Sequence, residues 1–212
     1  MRTLRKQHFS RKGAALQEAS RTSGNKPHFR RKLLAVADDN QNPERIRTIT
    51  WDDPREAIRR IRELPGVEFL QEMRRGRLPQ PPFGKLLGMD MFYADEGRVI
   101  MTLQPHEVHY NPMGCVHGGI LSTLLDSVMS AAVHTALPAG TGYLTREITV
   151  TFHRPVYDKT GEILADGRIV SIDGRRATAQ GRIIAADDKV YATGKATCVL
   201  FLPGAERSDN LD

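Results

Sequence analysis

Residues Gly118–Thr135 have the sequence GGILSTLLDSVMSAAVHT, and this stretch decides the fold. Apolar residues recur in it at spacings of three and four positions, which is the period of one face of an α-helix. Because they cover a broad face, we predict a long helix that is deeply buried. The apolar residues are Ile120, Leu121, Leu124, Leu125, Val128, Met129, Ala132 and Val133.

Six strand-like stretches flank this helix in the sequence. Two of them, residues 89–94 and 98–104, enclose the turn-forming residues Asp95-Glu96-Gly97 and predict a β-hairpin before the helix. No helical segment separates the strands that follow it, so they lack the crossovers that parallel pairing requires. The order predicts an α+β fold in which an antiparallel sheet of about six strands wraps around one long central helix. The later strands cover residues 143–153, 162–172, 175–186 and 190–202.

Residues 49–82 are predicted to form two short helices and a proline-rich connector. Asp53 caps the first helix, and the second helix covers about Val67–Arg75 and ends at Gly76. The connector, Leu78–Pro82, is expected to be extended and similar to polyproline. We interpret this segment as a helical decoration of the main domain.

The net charge of +6 is divided unevenly along the chain. Residues 1–48 hold 12 Lys or Arg and 4 Asp or Glu, for a net charge of +8, which leaves −2 for the rest of the chain. The main domain, residues 83–203, therefore lacks the basic stripe of a nucleic-acid-binding domain, and we do not expect nucleic acid as a partner. Residues 1–48 are predicted to be disordered; an inert extension, a tail that contacts polyanions and a targeting segment all fit their composition. Residues 204–212 form a C-terminal tail.

The lengths of the apolar runs and the spacing of the cysteines restrict the cellular compartments in which the protein is expected. No apolar run in the 212 residues approaches the roughly 20 positions that span a bilayer, so we expect no membrane association. Cys115 and Cys198 lie far apart and fit neither a zinc site nor a disulfide framework. Two free thiols predict a reducing compartment, and we expect a cytoplasmic protein.

The loop Asn111–Gly119, with the sequence NPMGCVHGG, leads directly into the central helix. Gly118 and Gly119 at the helix start allow a ligand to approach the backbone closely. The unpaired N–H groups of a helix start can bind a carbonyl oxygen that gains negative charge during a reaction. The alternative is a glycine-rich turn whose N–H groups face only water.

Asp126 is a carboxylate in the middle of an otherwise apolar helix. Either it faces solvent, on a polar stripe with Ser122, Ser130 and His134, or it is kept for function, because burying it unpaired is costly. It stands about 12 Å along the helix axis from Gly118. A general base must come within about 3 Å of the group it activates, so a site that uses both elements needs Asp126 from a second, antiparallel copy of the helix. The spacing thus predicts a homodimer with two composite sites.

The residues Asn111, His117-Gly118-Gly119 and Asp126, together with the strand TREITVTFHRP at residues 145–155, resemble those of hotdog-fold acyl-CoA thioesterases of the phenylacetic-acid-degradation type. The resemblance covers about Phe83–Leu202. It implies a hotdog fold, assembly as a homodimer or homotetramer, and hydrolysis of an aromatic or medium-chain acyl-CoA to the free acid and coenzyme A. It also implies that no metal or other cofactor takes part.

The resemblance implies a role for each matching residue. Asp126 acts as general base on water or as nucleophile through an anhydride, and the sequence does not separate these routes. The Gly118 N–H polarises the thioester carbonyl while His117 holds the turn. Asn111 orients the carbonyl or the water, and Thr145 helps to position the water near Asp126.

Four further residues are weaker candidates for substrate binding. Gly119 is the last residue of the motif and Tyr110 directly precedes it, and Tyr110 is either a pocket wall or ordinary packing. Arg175 and Arg176 follow Asp173-Gly174 at a predicted hairpin, where they hold coenzyme A phosphates or belong to a solvated turn. His106 and His109 match no metal-binding motif, so no metal site is expected.

Two other functions are compatible with a hotdog domain. One is a sensor that binds acyl-CoA without cleaving it and regulates transcription, although residues 1–48 show no pair of helices that would bind DNA. The other is a hydratase or dehydratase, which would be expected to carry a catalytic histidine at another spacing from the carboxylate.

Overall fold

The structure, a computed structural model, describes residues 45–201. A boundary falls between Arg47 and Thr48, and the chain from Thr48 onward forms one unit. Of residues 1–48, which were predicted to form a basic extension, only residues 45–48 are described. The tail predicted at residues 204–212 lies outside the described residues.

Four α-helices and six strands make up the described part of the chain. The helices are α1 (Arg55–Arg60), α2 (Gly66–Arg74), α3 (Pro82–Leu87) and α4 (Gly118–Thr135), with short 3₁₀ turns at Glu107–His109 and Asp158–Thr160. The strands are β1 (Met89–Asp95), β2 (Arg98–Leu103), β3 (Gly142–Phe152), β4 (Ile163–Asp173), β5 (Arg176–Ala185) and β6 (Val190–Phe201).

The six strands form one antiparallel sheet in the order β1-β2-β4-β5-β6-β3. Helix α4 packs on one face of this sheet, and its residues Leu124, Leu125, Val128 and Met129 are fully buried in the core. The predicted sheet around a long central helix is confirmed, and every strand end lies within one residue of its predicted position.

A row of glycines allows α4 to lie close to the sheet. Gly167 on β4 pairs with Gly181 on β5, which in turn pairs with Gly194 on β6. A Cβ atom at Gly167 would lie 2.3 Å from the carbonyl oxygen of Val128, well inside van der Waals contact. The helix backbone therefore occupies the space that side chains fill at other positions of the sheet.

Replacing Gly167 by alanine is expected to lower the free energy of unfolding by roughly 3 kcal/mol. The added methyl group would overlap the backbone of α4, which, unlike a side chain, cannot move aside by changing its rotamer. Gly142→Ala is the matched control, since a Cβ atom there would lie 3.9 Å from the nearest neighbour, an ordinary contact. Urea unfolding of both variants measures the effect. Equal stabilities would contradict the close approach.

The N-terminal helices pack on the main domain. Phe69, Leu70 and Met73 of α2 are buried together with Ala131 and Ala132 of α4. Helix α1 has no buried residue. The predicted second helix is confirmed as α2, and it packs against α4.

Two local predictions near these helices have different outcomes. The Asp53 carboxylate accepts a hydrogen bond from the Arg55 N–H at 3.0 Å, although the N-cap residue of α1 is the following residue, Pro54. Pro82, in contrast, was predicted to belong to the extended connector but begins helix α3. The reason is that proline lacks only an N–H that the first turn of a helix leaves unpaired, so it is well tolerated there.

Candidate active site

Asp126 and Thr145 are in direct contact. The Thr145 hydroxyl donates a hydrogen bond to Oδ1 of Asp126 at 2.8 Å, and both residues are half-buried. Asp126 lies midway along α4 and Thr145 near the start of β3, so the contact joins the central helix to the sheet. The structure therefore brings together two of the residues that the sequence singled out.

A β-bulge directs Thr145 toward the helix. Thr145 pairs with the buried residue Cys198 and Glu147 pairs with Thr197, so Arg146 is an extra residue on β3. Further along the strand, Ile148 lies opposite a buried residue of β6 and thus on the same side as Thr145. Simple alternation would place positions 145 and 148 on opposite faces, and the bulge re-aims the threonine hydroxyl at Asp126.

The His117 side chain caps the start of α4. Its Nδ1 accepts a hydrogen bond from the Gly119 N–H at 2.9 Å, and its backbone N–H donates to the carbonyl oxygen of His109 at 2.8 Å. The ring of His109 is itself buried and lies 3.0 Å from the carbonyl oxygen of Leu87. The prediction that His117 holds the turn agrees with these bonds, and His109 supports the loop beneath it.

Gly118 has a backbone N–H at the helix start that is unpaired within residues 45–201. A Cβ atom at this position would lie 3.1 Å from the Phe152 ring, so a larger residue would crowd the site. The N–H is consequently available to a ligand oxygen, with the helix dipole adding to its partial positive charge.

The Asn111 side chain closes its own loop in this structure. Its Oδ1 accepts hydrogen bonds from the Met113 N–H at 2.9 Å and from the Cys115 N–H at 3.4 Å. Its Nδ2 lies 3.4 Å from the sulfur of Cys115. The role of Asn111 toward a carbonyl or a water stays a prediction.

The two halves of the predicted site are separated within one chain. Asp126 lies eight residues after Gly118 on an unbroken α-helix, which corresponds to about 12 Å along the axis. One thioester carbonyl cannot reach both groups at hydrogen-bonding distance. The separation that the sequence implied is therefore present in the folded subunit.

The hydrogen bonds of Tyr110 and Arg175 involve residues other than Asp126 and Thr145. The Tyr110 hydroxyl accepts a hydrogen bond from the Asp158 N–H at 2.8 Å and so fixes the loop before β4. Arg175 and Arg176 are exposed at the hairpin between β4 and β5, and Nε of Arg175 donates to the carbonyl oxygen of Leu200 at 3.3 Å. Their predicted contacts with substrate stay predictions.

A cavity of about 430 Å³ opens beside Asp126, between α4, β1 and the N-terminal helices. From the sequence, these helices were expected to be only a decoration, and their contribution to a cavity was missed. The available signal was the apolar stripe of each segment: Ile58 on α1 with Ile61 directly after it, and Phe69 and Met73 on α2, all of which line the cavity.

Two aromatic contacts form one wall of this cavity. The His134 ring lies 5.3 Å from the Phe69 ring and 5.2 Å from the Tyr143 ring, measured between centroids. Burial lowers the pKa of His134 to about 4. Burial likewise raises the pKa of Tyr143 to about 12, against a smaller opposing effect of its hydrogen bond with Ser130. Both side chains are thus uncharged at neutral pH, and the wall is electrically neutral.

A separate ion cluster lies on the face of the sheet that points away from α4. Arg98 donates two hydrogen bonds to the buried carboxylate of Asp166, at 2.8 and 3.1 Å, while Arg168 and Arg182 each approach it to 3.6 Å. A buried carboxylate needs such partners, and the three arginines compensate the charge of Asp166.

The metal-binding residue types within residues 45–201 do not cluster. Within that range, no group of three His, Cys, Asp or Glu side chains is arranged to hold a metal ion. Cys115 and Cys198 are free thiols. None of the helices in the described range is long and apolar enough to cross a membrane.

Comparisons with known proteins agree with this fold. Residues 113–192 match the family model described as Thioesterase superfamily. The chain is 26% identical over 140 residues to human acyl-coenzyme A thioesterase 13, covering 65% of this chain and 91% of that protein. It is 29% identical over 104 residues to acyl-coenzyme A thioesterase THEM4 of Xenopus laevis, covering 49% of this chain but only 45% of that protein.

A solved structure supports the same assignment. A phenylacetic acid degradation-related protein of Ralstonia eutropha superposes with a TM-score of 0.56 at 27% sequence identity, covering 61% of this chain and 97% of that one. The class indicated by the fold and by these relatives is that of thioester hydrolases with a hotdog fold. Residues 113–192 thus match the Thioesterase superfamily, and the resemblance drawn from the sequence is confirmed.

Proposed function

We propose that the protein hydrolyses an acyl-CoA thioester with an aromatic or medium-chain acyl group, releasing the free acid and coenzyme A. The observation that carries the proposal is the half-buried Asp126 carboxylate, oriented by the Thr145 hydroxyl at 2.8 Å, at the edge of an apolar cavity. A carboxylate placed in this way beside an apolar pocket is suited to act on a bound substrate. The names of the similar proteins point to the same chemistry.

Two routes lead from this geometry to hydrolysis. As general base, Asp126 takes a proton from water, the water oxygen bonds to the thioester carbon, and the C–S bond breaks to release coenzyme A, which takes up the proton. As nucleophile, the Asp126 carboxylate first displaces the thiolate and forms an anhydride, which water then cleaves. In both routes, a backbone N–H at a helix start stabilises the negative charge that develops on the carbonyl oxygen.

A second subunit would complete the site, and the edge strand β3 is the surface through which we expect that subunit to bind. This strand lies at an edge of the sheet and has 11 residues. Ile148 and Phe152 lie opposite buried residues of β6, on the side of the sheet that α4 covers, yet they are 37% and 50% exposed. A long edge strand with exposed apolar side chains is a template for pairing with another chain. We infer that a second copy covers it.

The dimer that follows joins the two halves of the site. With the two α4 helices antiparallel, Asp126 and Thr145 of one subunit face the partner's Gly118 and the partner's Asn111 across a twofold axis. This arrangement satisfies the 12 Å separation, which one subunit alone does not.

Arg175 and Arg176 are the proposed contacts for coenzyme A phosphates. With both thiols free, we also propose a reducing, cytoplasmic setting.

Replacing Thr145 by valine is expected to lower kcat by roughly tenfold, because a hydrogen bond to a charged carboxylate contributes about 1.5–3 kcal/mol and valine keeps the shape of the side chain. Thr149→Val, at an exposed position of the same strand, is the control. Steady-state kinetics with the preferred acyl-CoA measures the effect. Equal rates for both variants would remove Thr145 from the site.

The proposal as a whole is tested by a hydrolysis screen. Purified protein is mixed with acyl-CoAs of varied length and aromaticity, and released thiol is followed with a chromogenic disulfide. Release from at least one acyl-CoA, saturable in substrate, supports the proposal. Tight binding without release would instead favour the sensor, and hydration of an enoyl-CoA without thiol release would favour the hydratase.

A further inference from the structure

The cavity beside Asp126 has walls from both the central helix and the N-terminal helices. On one side lie Ser127, Ser130 and Ala131 of α4, and on the other lie side chains of α1 and α2. The stretch from Pro79 to Gly84, with the start of α3, closes a third side. Asp126 is among the lining residues, so the proposed reaction centre and the cavity are continuous.

Among the described residues, the lining is mainly apolar and includes no Lys or Arg. Phe69, Leu70 and Met73 of α2 are almost fully buried where they meet it. The charged residues of the lining are Asp90 and Asp126, both acidic. An acyl group that ends in a carboxylate would be repelled by these charges and would lose its hydration, whereas an apolar acyl group gains from burial.

Helix α2 is seated firmly on the end of α4. The Gly66 N–H at its start donates to the carbonyl oxygen of Leu137 at 2.9 Å. A Cβ atom at Gly66 would lie only 1.7 Å from the carbonyl oxygen of His134, so only glycine allows this approach. The α2 wall therefore has a defined position relative to Asp126, and the cavity has a defined depth.

The volume of the cavity limits the size of its occupant. An apolar protein cavity of about 150 Å³ is large enough to hold benzene. The cavity here, at about 430 Å³, is nearly three times that volume, although part of it is the open mouth. It suits an apolar group of roughly a dozen carbon atoms rather than an acetyl group or a long fatty acyl chain.

We propose that this cavity is the acyl-binding chamber and that the N-terminal helices α1 and α2 set the length of acyl group the protein accepts. The inference rests on the proposed thioester hydrolysis and deepens it. It assigns a function in substrate selection to a segment that the sequence suggested was only decoration.

Two substitutions on α1 test this assignment. Ala57 is half-buried and lines the cavity, so Ala57→Trp would fill part of the chamber. Arg59→Trp adds the same side chain to the same helix at an exposed position outside the lining, and it is the matched control. We expect Ala57→Trp to lower kcat/KM for decanoyl-CoA at least about tenfold while changing that for butyryl-CoA less than about threefold. Arg59→Trp should leave both values close to those of the native protein.

A second variant and a binding measurement protect the test from misfolding and from failure of the proposed reaction. Ile58→Trp, at a position 55% exposed that also lines the cavity, is expected to act in the same direction, and thermal unfolding checks each variant. Calorimetry with the thioether S-decyl-CoA, which cannot be hydrolysed, should show weakened binding for Ala57→Trp but not for Arg59→Trp.

The outcomes separate the two claims. Hydrolysis with an unchanged chain-length profile in Ala57→Trp and Ile58→Trp would overturn the chamber assignment and leave the proposed reaction standing. Absence of hydrolysis from every acyl-CoA, together with selective loss of S-decyl-CoA binding in Ala57→Trp, would reject the reaction and support the chamber. Equal binding of the thioether by all the variants would overturn the chamber assignment in either case.

Discussion

The Asp126→Asn variant is expected to hydrolyse acyl-CoA more than about a hundredfold more slowly than the native protein, which is the loss expected when a general base is removed. Asparagine has nearly the same shape, so the fold and the cavity should persist. It still accepts a hydrogen bond from the Thr145 hydroxyl, but it neither takes a proton from water nor forms an anhydride. Thiol release under saturating substrate measures the loss.

Binding and a neighbouring substitution control this result. S-decyl-CoA should bind the Asp126→Asn variant with an affinity close to that of the native protein, because its contacts with the cavity are apolar. Ser122→Ala, one helical turn earlier and half-buried on the same stripe, should retain most of the activity. Unchanged turnover in Asp126→Asn would exclude this carboxylate from the mechanism.

Ile148→Asp is expected to separate the subunits and to reduce hydrolysis by more than about a hundredfold. A carboxylate buried in an apolar interface without a partner costs several kcal/mol. Because the proposed site joins Asp126 of one subunit to the partner's Gly118, a folded monomer would hold only half of it. Analytical ultracentrifugation and thiol release from the same sample show whether mass and activity fall together.

The control for this variant is a charge placed on another strand. Val170 on β4 is 59% exposed and does not lie on the edge strand, so Val170→Asp should leave both the dimer and the activity intact. A monomeric Ile148→Asp variant with full activity would refute the composite site. A variant that stays dimeric would show that β3 is not the interface.

The main architecture could be predicted from the sequence because it depends on local periodicity. The apolar spacing in Gly118–Thr135 matches the observed helix, and the alternation and turn residues place all six strands to within one residue. The glycines of the helix start were also accessible, since glycine has a defined meaning at such a position, whereas the role of His117 came from the family resemblance.

The contact between Asp126 and Thr145 could not be predicted from local sequence patterns. The sequence resemblance named Thr145, but strand alternation would direct it away from the side of the sheet that Ile148 occupies. Only the bulge at Arg146 turns its hydroxyl toward Asp126. A bulge depends on the register between β3 and β6, which are far apart in sequence, and local patterns do not contain that register.

By itself, the amino-acid sequence determined the elements of this protein, the order in which they occur and the distance between the helix start and Asp126, because these follow from residue periodicity and from the rise of a helix. The tertiary structure alone decided that Thr145 meets Asp126 and that α1 and α2 enclose a cavity beside it. The physical reason is that both features arise from packing between segments distant in the chain. Close packing there depends on single positions, such as Gly66 against His134 and Gly167 against Val128, whose partners no local pattern reveals.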